Sequence, residues 1–217
     1  MGTGASLARA TGMCDRSAMY LPAEDDEVTT LVAYADQQLS AIRASLLGLT
    51  EDQAREAPCR SILSVGGIVK HTSYGLAGAV ARLSAGPDGE PALDEAGFAA
   101  YAASFTLAAD ETAAAVLDAF DRNRAAFLRA AAAVDPDGET SQPPAPWAGV
   151  LRSQPIRWRY YLGHLVEEFA RHAGHADIVR EQLDGQAVPA LMMTLEGVPA
   201  NAFFTPYVPA PGTIGVR

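Results

Sequence analysis

Three of the four histidines in this 217-residue chain lie in the stretch 164–175, together with two carboxylates. A helix turns by about 100° per residue, so His164, Glu168, His172 and His175 would fall within an arc of roughly 80° on one helix face. Imidazole nitrogens and carboxylate oxygens are common protein ligands of zinc and similar divalent ions. The spacing therefore predicts one half of a metal site.

The second half of such a site has to come from another helix. His164 and His172 are two turns, or about 12 Å, apart along the axis, whereas a zinc–nitrogen bond is about 2 Å long. One ion cannot easily bind both, but the pairs Glu168 with His172, His164 with Glu168, and His172 with His175 each lie close enough. Each pair needs a further ligand, and the remaining histidine is His71.

The segment around His71 shows helical periodicity, because its apolar residues recur at the spacing of one helix face: Val65, Ile68, Val69, Leu76 and Val80. The pair Gly66-Gly67 stands inside this predicted helix. Each glycine costs about 1 kcal/mol relative to alanine, which favours a structure in which another backbone packs closely there. We therefore expect His71 to lie near a partner helix.

These features together resemble a known family. A helix carrying Val69-Lys70-His71, and a later His-x-x-x-Glu-x-x-x-His-x-x-His helix that runs on to Asp184-Gly185, are similar to the DinB/YfiT-like superfamily. Within it the chain resembles the DUF664 and mycothiol-dependent branch, which includes maleylpyruvate isomerase. The resemblance extends from the first predicted helix to the Asp-Gly pair.

The resemblance implies a fold and a ligand set. The fold would be all-α, a DinB-like up-down-down-up four-helix bundle with a metal site between helices, and the metal ligands would be His71, Glu168 and His172. Zinc is the first expectation, with nickel or manganese as alternatives. In many close relatives a Glu-x-x-Trp-like segment follows the first histidine, whereas here residues 72–78 are small and mostly uncharged. This difference predicts a reshaped pocket and a different substrate.

Three protein ligands would leave an open coordination position, as in catalytic zinc sites. The resemblance favours a low-molecular-weight, mycothiol-like thiol there, which a metal would convert to a thiolate that attacks an electrophilic carbon. The chain would then be a thiol S-transferase or an isomerase-type enzyme, with His175 or Tyr74 moving protons. One alternative is a metal-dependent hydrolase, lyase or cyclase, and another is a metal-containing sensor or binding protein without turnover.

The other polar residues of the last helix have simpler expected roles. His164 is expected to be a hydrogen-bonded packing histidine or a partner of a ligand, and His175 a non-ligand at the pocket edge. Glu167 is expected on a solvated face. For Arg171 and Arg180, we expect surface or helix-end ion pairs.

Composition points to a compact domain that acts on small molecules. Hydrophobic residues make up 49% of the chain, and no run of apolar residues is long enough for a membrane span. The net charge of −10, from 16 basic and 26 acidic residues, argues against a nucleic-acid surface. Two isolated cysteines, Cys14 and Cys59, favour a reducing cytoplasm, and the alanine-rich composition suggests a bacterial protein.

The helical periodicity and the breaker residues predict four long helices, near 26–47, 64–85, 107–134 and 155–183. A mobile stretch would precede the third helix, and a rigid proline-rich connector carrying Trp147 would precede the fourth. In domain terms, we expect a flexible extension, a bundle, and a proline- and aromatic-rich tail that packs on the bundle or on a partner subunit of a homodimer, over 1–24, 25–186 and 187–217 respectively.

Overall fold

A computed structural model describes residues 25–85, 94–142, 145, 148–150 and 152–215. The expected flexible extension, the first part of the stretch expected to be mobile and the connector residue Trp147 lie outside the described residues. The described helices and strands are, in chain order, α1 Glu27–Ala44, α2 Glu51–Arg55, α3 Val65–Ala85, α4 Glu95–Ala103, α5 Ala113–Ala131, β1 Glu139–Gln142, β2 Gln154–Arg157, α6 Trp158–Asp184 and α7 Val188–Glu196.

Four long helices, α1, α3, α5 and α6, form the bundle, and side-chain contacts define their directions. Arg43, near the end of α1, bonds Asp121 in α5, while Asp36, earlier in α1, bonds Arg124, later in α5. The two helices therefore run antiparallel. Glu27 at the start of α1 pairs with Arg159 at the start of α6, so α1 and α6 run parallel.

Helix α3 runs against α6. His71, near the start of α3, faces His172 in the second half of α6, and Arg82, near the end of α3, lies over the ring of Tyr161, near the start of α6. The order is therefore up-down-down-up, and the expected all-α, DinB-like fold is confirmed. The core between the helices is apolar, with Phe127 and Phe169 packed edge to face at 5.9 Å.

Local sequence explains where the helices begin and end. Asp26 caps α1 by accepting a hydrogen bond from the Thr29 amide, and Thr50 with Gln53 forms a capping box at α2. Helix α6 ends at Gly185, whose φ of 74° is the left-handed conformation that glycine adopts without strain. Two of the four predicted long helices, those that correspond to α1 and α5, are shorter than expected by several residues.

The regions before α5 and before α6 differ from the sequence-based expectation. The stretch before α5, expected to be mobile, contains α4, which Asp94 caps through the Gly97 amide. The connector before α6 contains an antiparallel hairpin, in which Glu139 pairs with Arg157. Short strands of mixed polarity carry almost no periodic signal, which is why the sequence did not reveal them.

The tail after α6 contains α7, which the proline content concealed. Leu191 and Met192 of α7 are buried against Ala44 and Leu47 at the end of α1. Further along, the Ile214 carbonyl accepts a hydrogen bond from the Gly48 amide, and the Ile214 amide donates to the Leu49 carbonyl. The tail thus packs along the bundle within this chain. Among the described helices, none has the length and apolar character needed to cross a membrane.

Candidate metal centre

The structure brings together two histidines that are far apart in sequence. His71 on α3 and His172 on α6 have ring centroids 5.0 Å apart, with the planes inclined by 69°. Both rings are half-buried between the two helices. The antiparallel packing of α3 on α6 creates this pairing, since neither helix could supply both rings.

Glu168 lies one turn before His172 on the same helix. Its Oε2 is 3.9 Å from Nε2 of His172, too far for a hydrogen bond. Two ligand atoms that each lie about 2.1 Å from a zinc ion are at most about 4.2 Å apart. The separation between the carboxylate and the imidazole therefore leaves room for an ion.

His172 also carries an unsatisfied polar atom. Its Nδ1 is buried and makes no hydrogen bond to any of the residues that the structure describes. A buried polar atom without a partner costs about 1–3 kcal/mol. Such an atom is unusual in a folded protein, so the fold by itself does not satisfy the polar atoms of His172.

Both imidazoles are held in their neutral form. Burial lowers the pKa of His71 to about 4, and the neighbouring His172 adds to the effect. Burial also lowers the pKa of His172, with smaller contributions from His175 and Arg171. At neutral pH each ring thus keeps a nitrogen lone pair, the form that binds metal ions.

The end of α4 and the residues after it form a seat for His71. Its Nδ1 lies 2.7 Å from the Ser104 hydroxyl, and its ring stacks on Phe105 with centroids 3.9 Å apart. Tyr101 meets the same ring edge-on at 5.4 Å. The sequence-based analysis missed all three residues, although Asp94 and the alanines of α4 are a capping and helix-forming signal.

The Gly66-Gly67 pair allows this seat to form. A Cβ on Gly66 would lie 2.7 Å from the Ala54 carbonyl oxygen, and a Cβ on Gly67 would collide with the Phe105 carbonyl oxygen. The expectation that another backbone packs against the two glycines is confirmed. The partner is the 105 segment and α2 rather than a long helix.

Two cationic side chains bind residues 106–111, the segment that follows Phe105. Lys70 donates to the Thr106 carbonyl at 2.9 Å and to the Glu111 carboxylate at 2.7 Å. Arg55 donates to the carbonyls of Leu107 and Ala108. The stretch expected to be mobile is therefore tied to α2 and α3 beside the histidines.

The remaining predicted site residues lie at the rim. His175 is exposed, and its ring centroid is 5.8 Å from that of His172. Tyr74 is 40% exposed and lies 6.5 Å from Tyr101, ring to ring. Burial raises the pKa of Tyr101, with Glu168 and Tyr74 adding to the shift. The Tyr101 phenol therefore stays protonated at neutral pH beside the carboxylate.

His164 does not occupy the packing position expected for it. Its side chain is 44% exposed, and its Nδ1 lies 3.6 Å from Glu167, whose carboxylate also accepts a hydrogen bond from Arg171. Among the described residues, His164, Glu167 and Glu168 are the group whose ligand atoms all lie within 4.8 Å of one another. The set of His71, Glu168 and His172 is more widely spaced.

Arg180 differs most from its expected role. It is fully buried rather than at the surface, and it donates to both carboxylate oxygens of Asp184 and to the carbonyls of Ser45 and Leu47. The helix-end ion pair is present, but it lies in the interior. The Tyr207 ring of the tail lies 5.4 Å from the guanidinium.

A separate cavity lies between α1, α6 and α7. Its volume is about 770 Å³, and its lining includes Gln37, Asp177, Met192 and Phe204. None of the histidines lines it. The cavity is thus distinct from the histidine cluster.

Comparison with known proteins gives one match. The family model described as mycothiol-S-transferase matches residues 30–185, which is most of the chain and contains both histidine-bearing helices. No curated protein and no solved structure matches the chain. The chain therefore belongs to the mycothiol-S-transferase family, the mycothiol-related branch of the DinB-like proteins.

Proposed function

We propose that this protein is a metal-dependent thiol S-transferase, or an isomerase-type enzyme, that uses a mycothiol-like thiol. The observation that supports the proposal best is the meeting of two neutral imidazoles, His71 and His172, beside the Glu168 carboxylate, with His172 Nδ1 buried and unpaired among the described residues. Family membership supports the thiol chemistry. We infer the metal and the ligand set from the chemistry of these three side chains.

The donor atoms fit a divalent ion. Two imidazole nitrogens and one carboxylate oxygen suit zinc first, and nickel or manganese next. Three ligands leave a position for the sulfur of the thiol. When bound, the ion would lower the pKa of that thiol so that the thiolate predominates near neutral pH.

The chain's own residues would orient the substrates and move the proton. Exposed His175, at the rim, accepts the proton of the incoming thiol and passes it to solvent. The sulfur lone pair forms the new S–C bond, and the leaving group departs with its bonding pair and is protonated by Tyr74 or water. Carbon and sulfur keep their oxidation balance, so no redox partner is required.

The exposed group of His164, Glu167 and Glu168 is a weaker candidate for the ion. Glu167 is already paired with Arg171, and hydrogen bonding to Arg171 lowers the pKa of Glu167. His164 and Glu167 are both nearly half exposed, so water competes for the same ligand atoms. The His71–His172 pair lies in the drier environment, where a bound ion is held more strongly.

The substrate is proposed to be a small organic electrophile. Small residues on α3 leave space beside the centre, since a Cβ placed on Gly75 or Gly78 would meet nothing within 4 Å. The exposed rings of Tyr74 and Tyr101 offer apolar contact at the rim. They would contact the apolar part of such an electrophile.

The cellular setting belongs to the same proposal. We place the enzyme in a bacterial cytoplasm, where a free thiol such as that of Cys59 stays reduced. The net charge of −10 supports small molecules rather than nucleic acid as partners. A homodimer through the tail, where Phe203 and Val208 are exposed, is tested by sedimentation of the purified chain.

The first experiment is the metal content of untagged protein purified without chelator, measured by elemental mass spectrometry. We expect about one equivalent in the wild type and loss of metal in His71→Ala, Glu168→Ala and His172→Ala. His164→Ala is the matched control and should retain the ion. Retention by His172→Ala together with loss from His164→Ala would contradict the proposed ligand set.

The second experiment measures chemistry. Mycothiol consumption with a bimane or nitroaryl electrophile should require metal and fall at least about 100-fold in His172→Ala. Full activity of metal-free protein would contradict the proposal. Hydrolysis of a substrate without any thiol would favour the hydrolase alternative, and stoichiometric metal without turnover would favour a sensor.

A further inference from the structure

Ser104 stands at the C-cap of α4, where the chain turns toward the histidine pair. It is 2% exposed, and its hydroxyl oxygen lies 2.7 Å from His71 Nδ1 and 2.6 Å from the Tyr101 carbonyl oxygen. Both distances are those of good hydrogen bonds. One buried hydroxyl therefore links the end of α4 to a histidine of the candidate metal centre.

The protons in this link can be assigned from chemistry alone. A carbonyl oxygen can only accept, so the single hydroxyl proton of Ser104 goes to Tyr101. The Ser104 oxygen is then left with lone pairs and can only accept from His71. It follows that Nδ1 of His71 carries the ring proton, and that Nε2 of the neutral ring carries the lone pair.

We propose that Ser104 is a positioning residue that holds His71 in the Nδ1–H tautomer and so directs Nε2 toward the ion. The tautomer assignment stands on the hydrogen bonds alone. Its use for metal binding rests on the function proposed above. In metal sites, the second ring nitrogen of a ligating histidine is commonly held in this way, and the partner affects affinity.

The surroundings of Ser104 make the link rigid. Its backbone amide bonds the Ala100 and Tyr101 carbonyls, so the residue is fixed to the last turn of α4. Phe105, the next residue, stacks on the His71 ring and prevents it from rotating freely. Gly67 on α3 lies against the Phe105 carbonyl, so the Ser104–Phe105 segment packs directly on α3.

Ser45 provides a matched comparison within the same chain. It is also a buried serine at a helix C-cap, and its hydroxyl donates to the Ile42 carbonyl at 2.6 Å, three residues earlier. The local bond is the same as that from Ser104 to Tyr101. What differs is that only Ser104 has an imidazole nitrogen facing its lone pairs.

The first test uses metal-free protein. Long-range ¹H–¹⁵N spectra of ¹⁵N-histidine-labelled protein, recorded above neutral pH, report the tautomer of each of the four histidines. Wild-type His71, assigned by its absence in His71→Gln, should be the Nδ1–H tautomer. Ser104→Ala should show a mixture of tautomers, Ser104→Thr should restore Nδ1–H, and Ser45→Ala should match the wild type. A wild-type Nε2–H tautomer would overturn the assignment.

The second test measures zinc affinity by competition with a chromophoric chelator. Ser104→Ala should bind zinc about 10–100-fold more weakly than the wild type, with Ser104→Thr and Ser45→Ala close to the wild type. Equal affinity of Ser104→Ala and wild type would overturn the positioning role. If wild-type protein binds no zinc, nickel or manganese, the proposed function fails, and the spectra of metal-free protein still decide the tautomer independently.

Discussion

Helix α6 carries two buried nitrogen groups about two turns apart, and they differ in how completely they are paired. Arg180 makes four hydrogen bonds, two to Asp184 and two to backbone carbonyls. His172 leaves Nδ1 without a partner among the described residues and holds Glu168 at 3.9 Å, beyond hydrogen-bond distance. The first group is fully paired within the fold, whereas the second is not.

This contrast separates stability from function along one helix. A buried group with all its partners supports the fold, and its removal lowers the free energy of unfolding strongly. A buried polar group without a partner weakens the fold by its desolvation cost. The same helix therefore has a structural end near Arg180 and a middle near His172 that we propose to be functional.

The largest expected effect is on stability, in Arg180→Met. Removing the guanidinium leaves the Ser45 and Leu47 carbonyls and Asp184 without their partner, which should lower the free energy of unfolding by about 3 kcal/mol. The urea midpoint measures this. The control is Arg171→Met, which removes an exposed ion pair on the same helix and should leave the urea midpoint unchanged. An equal decrease of the midpoint in both variants would show that the buried arginine is no more important for stability than the exposed one.

The seat of His71 should respond strongly to Gly67→Ala. The added methyl collides with the Phe105 carbonyl, so the Ser104–Phe105 segment must shift, at a cost of about 1–3 kcal/mol and with weaker metal binding. Gly78→Ala is the control, because its Cβ meets nothing within 4 Å and alanine is the better helix former. Calorimetric unfolding that shows Gly67→Ala as stable as Gly78→Ala would contradict the close approach.

In the middle of α6, we expect His172→Leu to lose metal without any loss of folding stability. Leucine removes the unpaired Nδ1, so the metal-free variant should be as stable as the metal-free wild type, or up to about 1 kcal/mol more stable. Denaturant unfolding in the presence of chelator measures this. A loss comparable to that of Arg180→Met would show that His172 is a structural residue.

The smallest effect concerns the anchor of the segment beside the site. A hydrogen bond from Lys70 holds the pKa of Glu111 below its usual range. The folded state thus binds this proton less readily than the unfolded state, so the stabilisation is present above the ordinary glutamate pKa of about 4.3 and is lost as pH falls through the lower, folded value.

Glu111→Gln should therefore lower stability by about 0.5 kcal/mol at neutral pH, as expected for a partly exposed pair. The difference from the wild type should vanish in acid, below the folded pKa of Glu111. Denaturant unfolding of both proteins from neutral to acid pH measures this difference in stability. A difference that persists unchanged in acid would show that the carboxylate charge is not what anchors the segment.

Much of the fold was predictable because helical periodicity is a local property. Residues 65–85 form a helix with the predicted apolar face buried, and Gly185 ends α6 where the sequence indicated. The hairpin and α7 were missed, since short strands and a helix that begins at a proline carry weak periodic signals. The ligand set of His71, Glu168 and His172 stays a prediction until metal is measured.

The amino-acid sequence is enough to predict which residues share a helix face and which positions require glycine, because both depend on geometry within a few residues. His164, Glu168, His172 and His175 were placed in this way. The packing of the helices reveals three further features: Ser104 and Phe105 hold His71, Arg180 is interior, and Nδ1 of His172 lacks a partner in the described part of the chain. These properties depend on contacts between elements far apart in the chain, and no local pattern specifies which polar atom finds a partner there.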